Sequence, residues 1–199
     1  MDTKERIIIE SLKLFMRYGI RSITMDTIAE NLGISKRTIY ELFKNKDELL
    51  ESCIASRMIE EEKNNAEIMR KSANIIEAFL THIKRSINLM SSISPMFFHD
   101  ARKYHPEVFR CKGKEREEKD YDMIVEYINR GKQEGFIRQE INVDIIAKLM
   151  KEQFKIIGND ELFPPDRFSK SEIFENIAIN FIRGIATDEG LKIINKFEF

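Results

Sequence analysis

The amino-acid sequence predicts an all-α protein. Its 199 residues include only eight glycines and four prolines, so few positions signal the tight turns that join β-strands. Apolar residues instead recur three and four positions apart, which is the spacing of a helix face. A hydrophobic fraction of 42% and a charged fraction of 34% are typical of a globular chain with a buried core and a charged surface.

Four helices are predicted within roughly the first 60 residues. A polar side chain that can cap a helix precedes each of them, and a glycine can end each of the first two. The third helix runs from about Lys36 to Phe43, and the fourth has Glu48 at its third position, where it can complete a capping box. The predicted caps are Asp2, Thr24, Ser35 and Asn45, and the predicted stops are Gly19 and Gly33.

The rest of the chain is predicted to form longer helices, which are marked by apolar residues at helical spacing. A kinked, aromatic-rich stretch with Pro106 inside it separates the first two of these helices. The predicted helices cover approximately residues 75–90, 112–134, 143–157 and 170–187.

Charge and composition exclude several classes of protein. The 33 basic and 34 acidic residues give a net charge of -1, so any surface for nucleic acid must be local. No stretch approaches the ~20 apolar residues of a membrane span, and two cysteines without a secretion signal favour the cytoplasm. The three histidines lack metal-site spacing, and no phosphate-binding loop or catalytic motif occurs. The sequence therefore predicts no metal, no cofactor, no membrane partner and no enzymatic activity.

One segment, residues 24–50, combines the features of a DNA-reading helix-turn-helix. Two short helices flank a turn in which Gly33 permits a positive φ. Ile39 and Phe43 are four positions apart and are expected to face the core, which turns the remaining side chains of the second helix outward. From Lys36 to Lys46 there are four cations and one acid, a local charge of +3 that would attract phosphate.

This segment resembles the N-terminal domain of the TetR family of bacterial transcriptional regulators, and the strong match covers roughly the first 50 of the 199 residues. Leu42 departs from the family, in which His or Tyr is frequent at this position, and it cannot donate a hydrogen bond to DNA. The matching motifs are the helix capped by Thr24 with Ile28-Ala29, the turn Gly33-Ile34-Ser35, the helix with Ile39-Tyr40 and Phe43, and Lys46 with Glu48-Leu49-Leu50.

The resemblance implies a homodimer that binds a palindromic operator in double-stranded DNA. Residues 1–46 would form the three-helix DNA-binding domain, and residues 47–199 would form a larger helical domain that dimerises and binds a small-molecule effector. The leading hypothesis is a repressor that a ligand releases from DNA. Two alternatives are a regulator controlled by a protein partner without a small ligand, and a helical protein-interaction module that keeps the helix-turn-helix only as a fold.

The predicted DNA contacts are hydroxyl, aromatic and cationic side chains around the helix-turn-helix. Side chains at the start of the second helix are expected to reach base edges, and the lysine that begins the fourth predicted helix is expected to contact a phosphate. These residues are Thr24, Thr27, Ser35, Lys36, Arg37, Thr38, Tyr40, Lys44 and Lys46.

The last two long predicted helices have broad apolar faces that predict a dimer interface. An ordinary intramolecular core would explain the same faces equally well. The predicted interface residues are Ile146, Met150, Ile157, Ile177, Phe181, Gly184 and Ile185.

Large aromatic and methionine side chains in the middle of the chain predict an adaptable pocket for an apolar or aromatic ligand. A plain helical core is the alternative. His82, His99 or Tyr104 would orient the ligand with polar groups. The predicted lining is Phe79, Ile83, Met90, Phe97, Phe98, Tyr104, Met123, Tyr127 and Phe154.

Overall fold

The structure is a computed structural model that describes residues 2–198, including the side chains of residues 2–109 and 117–198. The described residues form α-helices and one 3-10 helix, Ile156–Gly158, and no strand, which confirms the predicted all-α class. The helices are α1 (Thr3–Tyr18), α2 (Met25–Leu32), α3 (Lys36–Leu42), α4 (Lys46–Lys71), α5 (Ile75–Ser92), α6 (Pro95–Tyr104), α7 (Pro106–Gln133), α8 (Val143–Lys155), α9 (Lys170–Ile185) and α10 (Asp188–Lys196).

The capping signals of the sequence locate the first three helices correctly. Each predicted cap accepts a hydrogen bond from the backbone N–H three residues later, at 2.7 to 3.1 Å. Gly33 has a φ of +65° at the end of α2, a left-handed conformation that other residues adopt only with strain. The confirmed caps are Asp2, Thr24 and Ser35.

The prediction of a kinked stretch around Pro106 was wrong, because this stretch forms α6 and the beginning of α7. Pro95 and Pro106 are the first residues of these helices, where a missing N–H costs nothing. Helix α10 was also missed. Its cap, Thr187, is the last residue of the predicted helix 170–187, so the two helices were not separated.

The chain divides into two compact units. The first unit comprises Met1–Lys63 and Ser92–Arg116, and the second comprises Asn64–Ser91 and Glu117–Phe199. The first unit is thus larger than the predicted DNA-binding domain of residues 1–46, whose boundary stays a prediction. Three short helices alone bury little surface, which explains why further helices join them in one compact unit.

Each unit has its own hydrophobic core. In the first, the helix-turn-helix side chains pack with residues from α4, α6 and α7, including Leu49, Phe97 and Val108. In the second, α5, α7, α8 and α9 contribute fully buried aliphatic residues such as Leu80 and Ile128. None of the described helices is both long and apolar enough to cross a membrane.

Candidate nucleic-acid interface

Helix α3 has one buried face and one exposed face. Ile39 and Phe43 are almost completely buried, as their spacing predicts. Lys36, Arg37 and Tyr40 are exposed on the other side. The buried pair anchors the helix in the core of the first unit, so the orientation of the exposed cationic face is fixed before any DNA binds.

Both cations at the start of α3 are paired with carboxylates. Lys36 Nζ donates to Asp26 Oδ2 of α2 at 2.8 Å, and Arg37 Nε donates to Glu41 Oε1 at 2.9 Å. The hydrogen bond to Asp26 raises the pKa of Lys36, so this ammonium stays charged. Both pairs are exposed and contribute little to stability, so a phosphate or base can replace the carboxylates at small cost. The sequence analysis missed Asp26, because the pair crosses the turn between two helices.

The four predicted hydroxyl contacts form two pairs at the starts of α2 and α3. The Oγ1 atoms of Thr24 and Thr27 lie 2.9 Å apart, as do Ser35 Oγ and Thr38 Oγ1. The first member of each pair also caps its helix. Each pair has two O–H groups and uses one of them between its own oxygens, so one O–H per pair is left to donate to a phosphate oxygen.

The turn into α4 is fixed by two hydrogen bonds. The Glu48 carboxylate accepts the backbone N–H of Lys44 at 2.7 Å, and the Glu48 N–H donates to Asn45 Oδ1 at 2.9 Å. The predicted capping box is confirmed with a shift of one residue, since its acid reaches Lys44 rather than Asn45. Lys44 follows α3 by two residues in the sequence, and its side chain is exposed, as a phosphate contact requires.

Lys46 differs from the other predicted cationic contacts because its side chain is half-buried. Its Nζ lies 5.8 Å from the ring centroid of Phe15, which is fully buried on α1. Burial lowers the pKa of Lys46, while the carboxylates of Asp100 and Asp47 oppose this decrease. The structure places the ammonium against the core of the first unit, and the phosphate contact of Lys46 stays a prediction.

A family model described as "Bacterial regulatory proteins, tetR family" matches residues 7–53. Residues 7–53 are thus the helix-turn-helix DNA-binding domain of a TetR-family transcriptional regulator. The matched range contains α1, α2, α3 and the beginning of α4, which are the elements described above.

Whole-chain similarities are to helix-turn-helix transcriptional regulators and to a solved structure of the same fold. The uncharacterized HTH-type transcriptional regulator YvaF of Bacillus subtilis is 25% identical over 93% of this chain and 96% of its own length. The HTH-type transcriptional repressor KstR2 of Mycobacterium tuberculosis is 22% identical over 70% of this chain and 71% of its own. A transcriptional regulator from Cytophaga hutchinsonii superimposes with a TM-score of 0.75 at 19% identity, covering 92% of this chain and 98% of that one.

The TetR assignment settles the class of activity. The chain is a transcriptional regulator with a helix-turn-helix DNA-binding domain, and regulators of this family are not enzymes. Among the described residues, no group of three His, Cys, Asp or Glu is arranged to hold a metal ion. Cys53 is buried and burial raises the pKa of its thiol to about 12, so it is not a reactive thiolate, and the Cys111 side chain lies outside the described residues.

The nine predicted ligand-binding residues do not form one cluster. Three of them belong to the first unit, and the other six belong to the core of the second unit. A single pocket lined by all nine is therefore not formed within either unit. The first group is Phe97, Phe98 and Tyr104, and the second is Phe79, Ile83, Met90, Met123, Tyr127 and Phe154.

Within the second unit, polar groups accompany the aromatic side chains. Phe79 and Tyr127 make an edge-to-face contact with ring centroids 5.4 Å apart. The His82 ring lies 6.5 Å from that of Tyr127, and His82 Nδ1 is 2.9 Å from Asn65 Oδ1. The Tyr127 hydroxyl is buried and has no hydrogen-bond partner among the described residues. Burial accordingly raises the pKa of this hydroxyl, which stays protonated.

The seven predicted interface residues differ in exposure. Met150, Ile157 and Ile185 pack inside the core of their own chain and offer no surface to a partner. The others are half-buried or exposed, namely Ile146, Ile177, Phe181 and Gly184. The two most exposed apolar residues of α8 are Ile145 and Leu149, with exposed fractions of 54% and 52%, and neither is among the seven.

Proposed function

We propose that this TetR-family regulator is a homodimeric repressor that binds a palindromic operator and leaves it when a small apolar or aromatic ligand binds. The proposal of DNA binding rests on the exposed face of α3. Lys36, Arg37 and Tyr40 share this face, while Ile39 and Phe43 fix the helix from below. Such a helix fits the major groove with its first residues against base edges.

A dimer is required because one short helix makes few base contacts. Helix α8 supports this proposal with Ile145 and Leu149, which lie four residues apart on one exposed face. Gly184 on α9 adds a position where an added Cβ would meet nothing within 4 Å. Exposed apolar side chains on α8 and an unfilled position on α9 allow close packing of a second copy. A two-fold dimer would place its recognition helices about one turn of DNA, ~34 Å, apart.

Repression is supported by the name of one relative, the transcriptional repressor KstR2. The ligand is supported by the second unit, where the Tyr127 hydroxyl has no described partner among apolar and aromatic neighbours. A ligand that fits this surrounding is largely apolar and meets the hydroxyl with one polar group. We also infer that the protein acts in the cytoplasm, where its DNA and its effector are found together.

Selection from a library of random duplex DNA tests this proposal. We expect enrichment of a palindrome whose half-sites are about one helical turn apart. An Arg37→Ala variant should enrich the palindrome less strongly or not at all. The control Lys13→Ala removes a cation that is paired with Glu10 on α1, and it should select the same palindrome as the wild type. Failure to enrich any sequence would contradict the proposal, and enrichment of a single half-site would contradict the dimer.

A screen of small molecules against the selected operator tests the ligand. We expect at least one apolar or aromatic compound to weaken operator binding and to raise the melting temperature of the free protein. If no compound released the protein from the operator but a cell extract did so after dialysis had removed its small molecules, control by a protein partner would replace the ligand hypothesis.

A further inference from the structure

Arg37 and Glu41 lie on the side of α3 that is opposite its buried residue Ile39. Each is two positions from Ile39 in the sequence, which is about 200° around the helix axis. Their side chains are 88% and 61% exposed, whereas Ile39 is fixed in the core of the first unit. A carboxylate therefore lies on the surface that is proposed to meet DNA, although DNA phosphates repel it.

Glu41 holds only one part of the Arg37 guanidinium. Arg37 Nε donates to Glu41 Oε1 at 2.9 Å. A guanidinium has five N–H donors in one plane, and this bond uses the single N–H of Nε. The two terminal NH2 groups make no hydrogen bond to a described residue. The outer edge of the guanidinium, which these two groups form, is left to bind another acceptor.

The neighbouring pair of Lys36 and Asp26 differs in what it can orient. Lys36 Nζ donates to Asp26 Oδ2 at 2.8 Å, but an ammonium rotates about its own bond, so this contact does not fix the direction of its other N–H groups. A guanidinium is rigid and planar, and a bond at Nε also restricts where its outer edge points. Glu41 thus orients Arg37 in a way that Asp26 cannot orient Lys36.

The outer edge of Arg37 matches one base. Guanine presents two acceptors, O6 and N7, side by side in the major groove, and two parallel N–H groups of an arginine can meet both. Adenine and thymine each present one acceptor there, and cytosine presents a donor. A long side chain loses rotamer freedom when a base fixes it, and a side chain that is already oriented loses less.

We propose that Arg37 reads a guanine in each operator half-site through its outer edge, and that Glu41 is a positioning residue that orients Arg37 for this base. The inference rests on the proposed binding of DNA by α3. Glu41 then has two opposite effects. Its negative charge lowers affinity for DNA of any sequence, and its bond to Arg37 raises discrimination in favour of guanine. An acid that acted through its charge alone would have only the first effect.

The variant Glu41→Gln removes the charge and weakens the bond to Arg37 Nε, while the side chain keeps its length. We expect it to bind random duplex DNA about two- to threefold more tightly than the wild type at low salt, because a repulsive charge is lost. Its preference for guanine should nevertheless fall about two- to fivefold, since an exposed ion pair holds the arginine only weakly. Fluorescence anisotropy measures both affinities. The duplexes are the palindrome selected by the wild type and versions in which the base pair most sensitive to Arg37→Ala is replaced by each of the other three.

Glu30→Gln is the matched control, because it removes an exposed carboxylate of α2 that is not paired with Arg37. It should strengthen binding to all duplexes by one factor and leave the preference for guanine unchanged. Arg37→Lys keeps the charge but lacks the planar guanidinium. In an Arg37→Lys background, Glu41→Gln should therefore no longer change the base preference. All three side chains are exposed, so the variants should keep the helix content of the wild type, which circular dichroism checks.

The proposed function and this inference fail in different ways. If the wild type selects no sequence, or if Arg37→Ala lowers the preference at no base pair, the reading of bases by Arg37 is wrong. If the sensitive base pair is not G·C, the assignment of guanine is wrong. If it is G·C but Glu41→Gln leaves the preference unchanged, or changes it equally in the Arg37→Lys background, Glu41 does not position Arg37.

Discussion

The Nζ atom of Lys36 lies 2.8 Å from Oδ2 of Asp26, so an acid on the first helix of the helix-turn-helix holds a cation on the second. A phosphate or a base must therefore replace Asp26 as the partner of Lys36 when DNA binds. The exchange is between exposed groups, so its cost is small and depends on salt.

Neutralising Asp26 should strengthen binding to DNA of any sequence. We expect Asp26→Asn to raise affinity for random duplex DNA about two- to threefold at low salt, because Lys36 loses an internal competitor and the surface loses a negative charge. Fluorescence anisotropy measures this affinity. Glu30→Gln on the same helix is the control for general charge, and an equal gain in both variants would show that the Lys36 pair has no specific effect.

Arg37 is expected to read bases, since it is exposed at the start of α3 and its described partner is the neighbouring acid Glu41. Arg37→Ala should reduce discrimination between the selected operator and a mismatched operator by about 1–3 kcal/mol. Titrations of both duplexes at one salt concentration measure this. Equal weakening of both duplexes would instead make Arg37 a phosphate contact.

Gly33 should be required for its conformation rather than for lack of space. Its φ is +65°, and an added Cβ would meet nothing within 4 Å. We expect Gly33→Ala to lower the free energy of unfolding by about 1 kcal/mol, and Gly33→Asn by less, because Asn tolerates the left-handed region. Urea denaturation measures both.

Gly158→Ala is the matched control for Gly33→Ala, since its added Cβ also meets open space but its φ is not positive. This variant should be neutral or stabilising, because alanine restricts the unfolded chain. Equal destabilisation by the two alanine variants would contradict the conformational explanation.

Local signals in the sequence were sufficient to predict the helix-turn-helix. Its caps, its turn glycine and the inward pair Ile39 and Phe43 depend on residues three or four positions apart, and those distances are fixed by helix geometry. The pairing of Lys36 with Asp26 and the position of Lys46 beside Phe15 depend on how helices pack. Residue spacing does not report such contacts.

The predicted ligand-binding residues show that residue type does not report which side chains pack together. They were grouped because they are large and soft, but Phe97 belongs to the core of the first unit and Phe79 to that of the second. The interface prediction met the same limit. A helix with apolar residues on a broad face does not reveal which of them the same chain covers, so the predicted interface includes Met150, which this chain itself buries.

Gly184→Arg should separate dimerisation from folding. A single chain has open space at this position, so the arginine fits in a monomer, whereas a close helix contact with a second copy would exclude it. We expect the wild type to be a dimer and the variant to be a monomer of unchanged helix content, as measured by light scattering and circular dichroism. A dimeric Gly184→Arg variant would place the interface away from this part of α9.

Tyr127→Phe should reveal whether the buried hydroxyl is used by a ligand. Tyr127 is 3% exposed and its buried hydroxyl has no hydrogen-bond partner among the described residues, so removal of this hydroxyl should leave the free energy of unfolding unchanged or raise it by about 1 kcal/mol. The same variant should weaken the binding of an aromatic ligand found by the operator-release screen about tenfold, because a hydrogen bond to the ligand is lost.

Tyr121→Phe is the matched control, since the Tyr121 hydroxyl donates to Asp144 on the surface of the same unit and should not affect ligand binding. Calorimetry with and without operator then tests the switch itself. A coupling of about 1–3 kcal/mol requires the operator to weaken ligand binding about 5- to 150-fold, because the coupling is reciprocal. A compound that binds Tyr127→Phe as tightly as the wild type does not use this hydroxyl, and one that binds equally with and without operator is not the inducer.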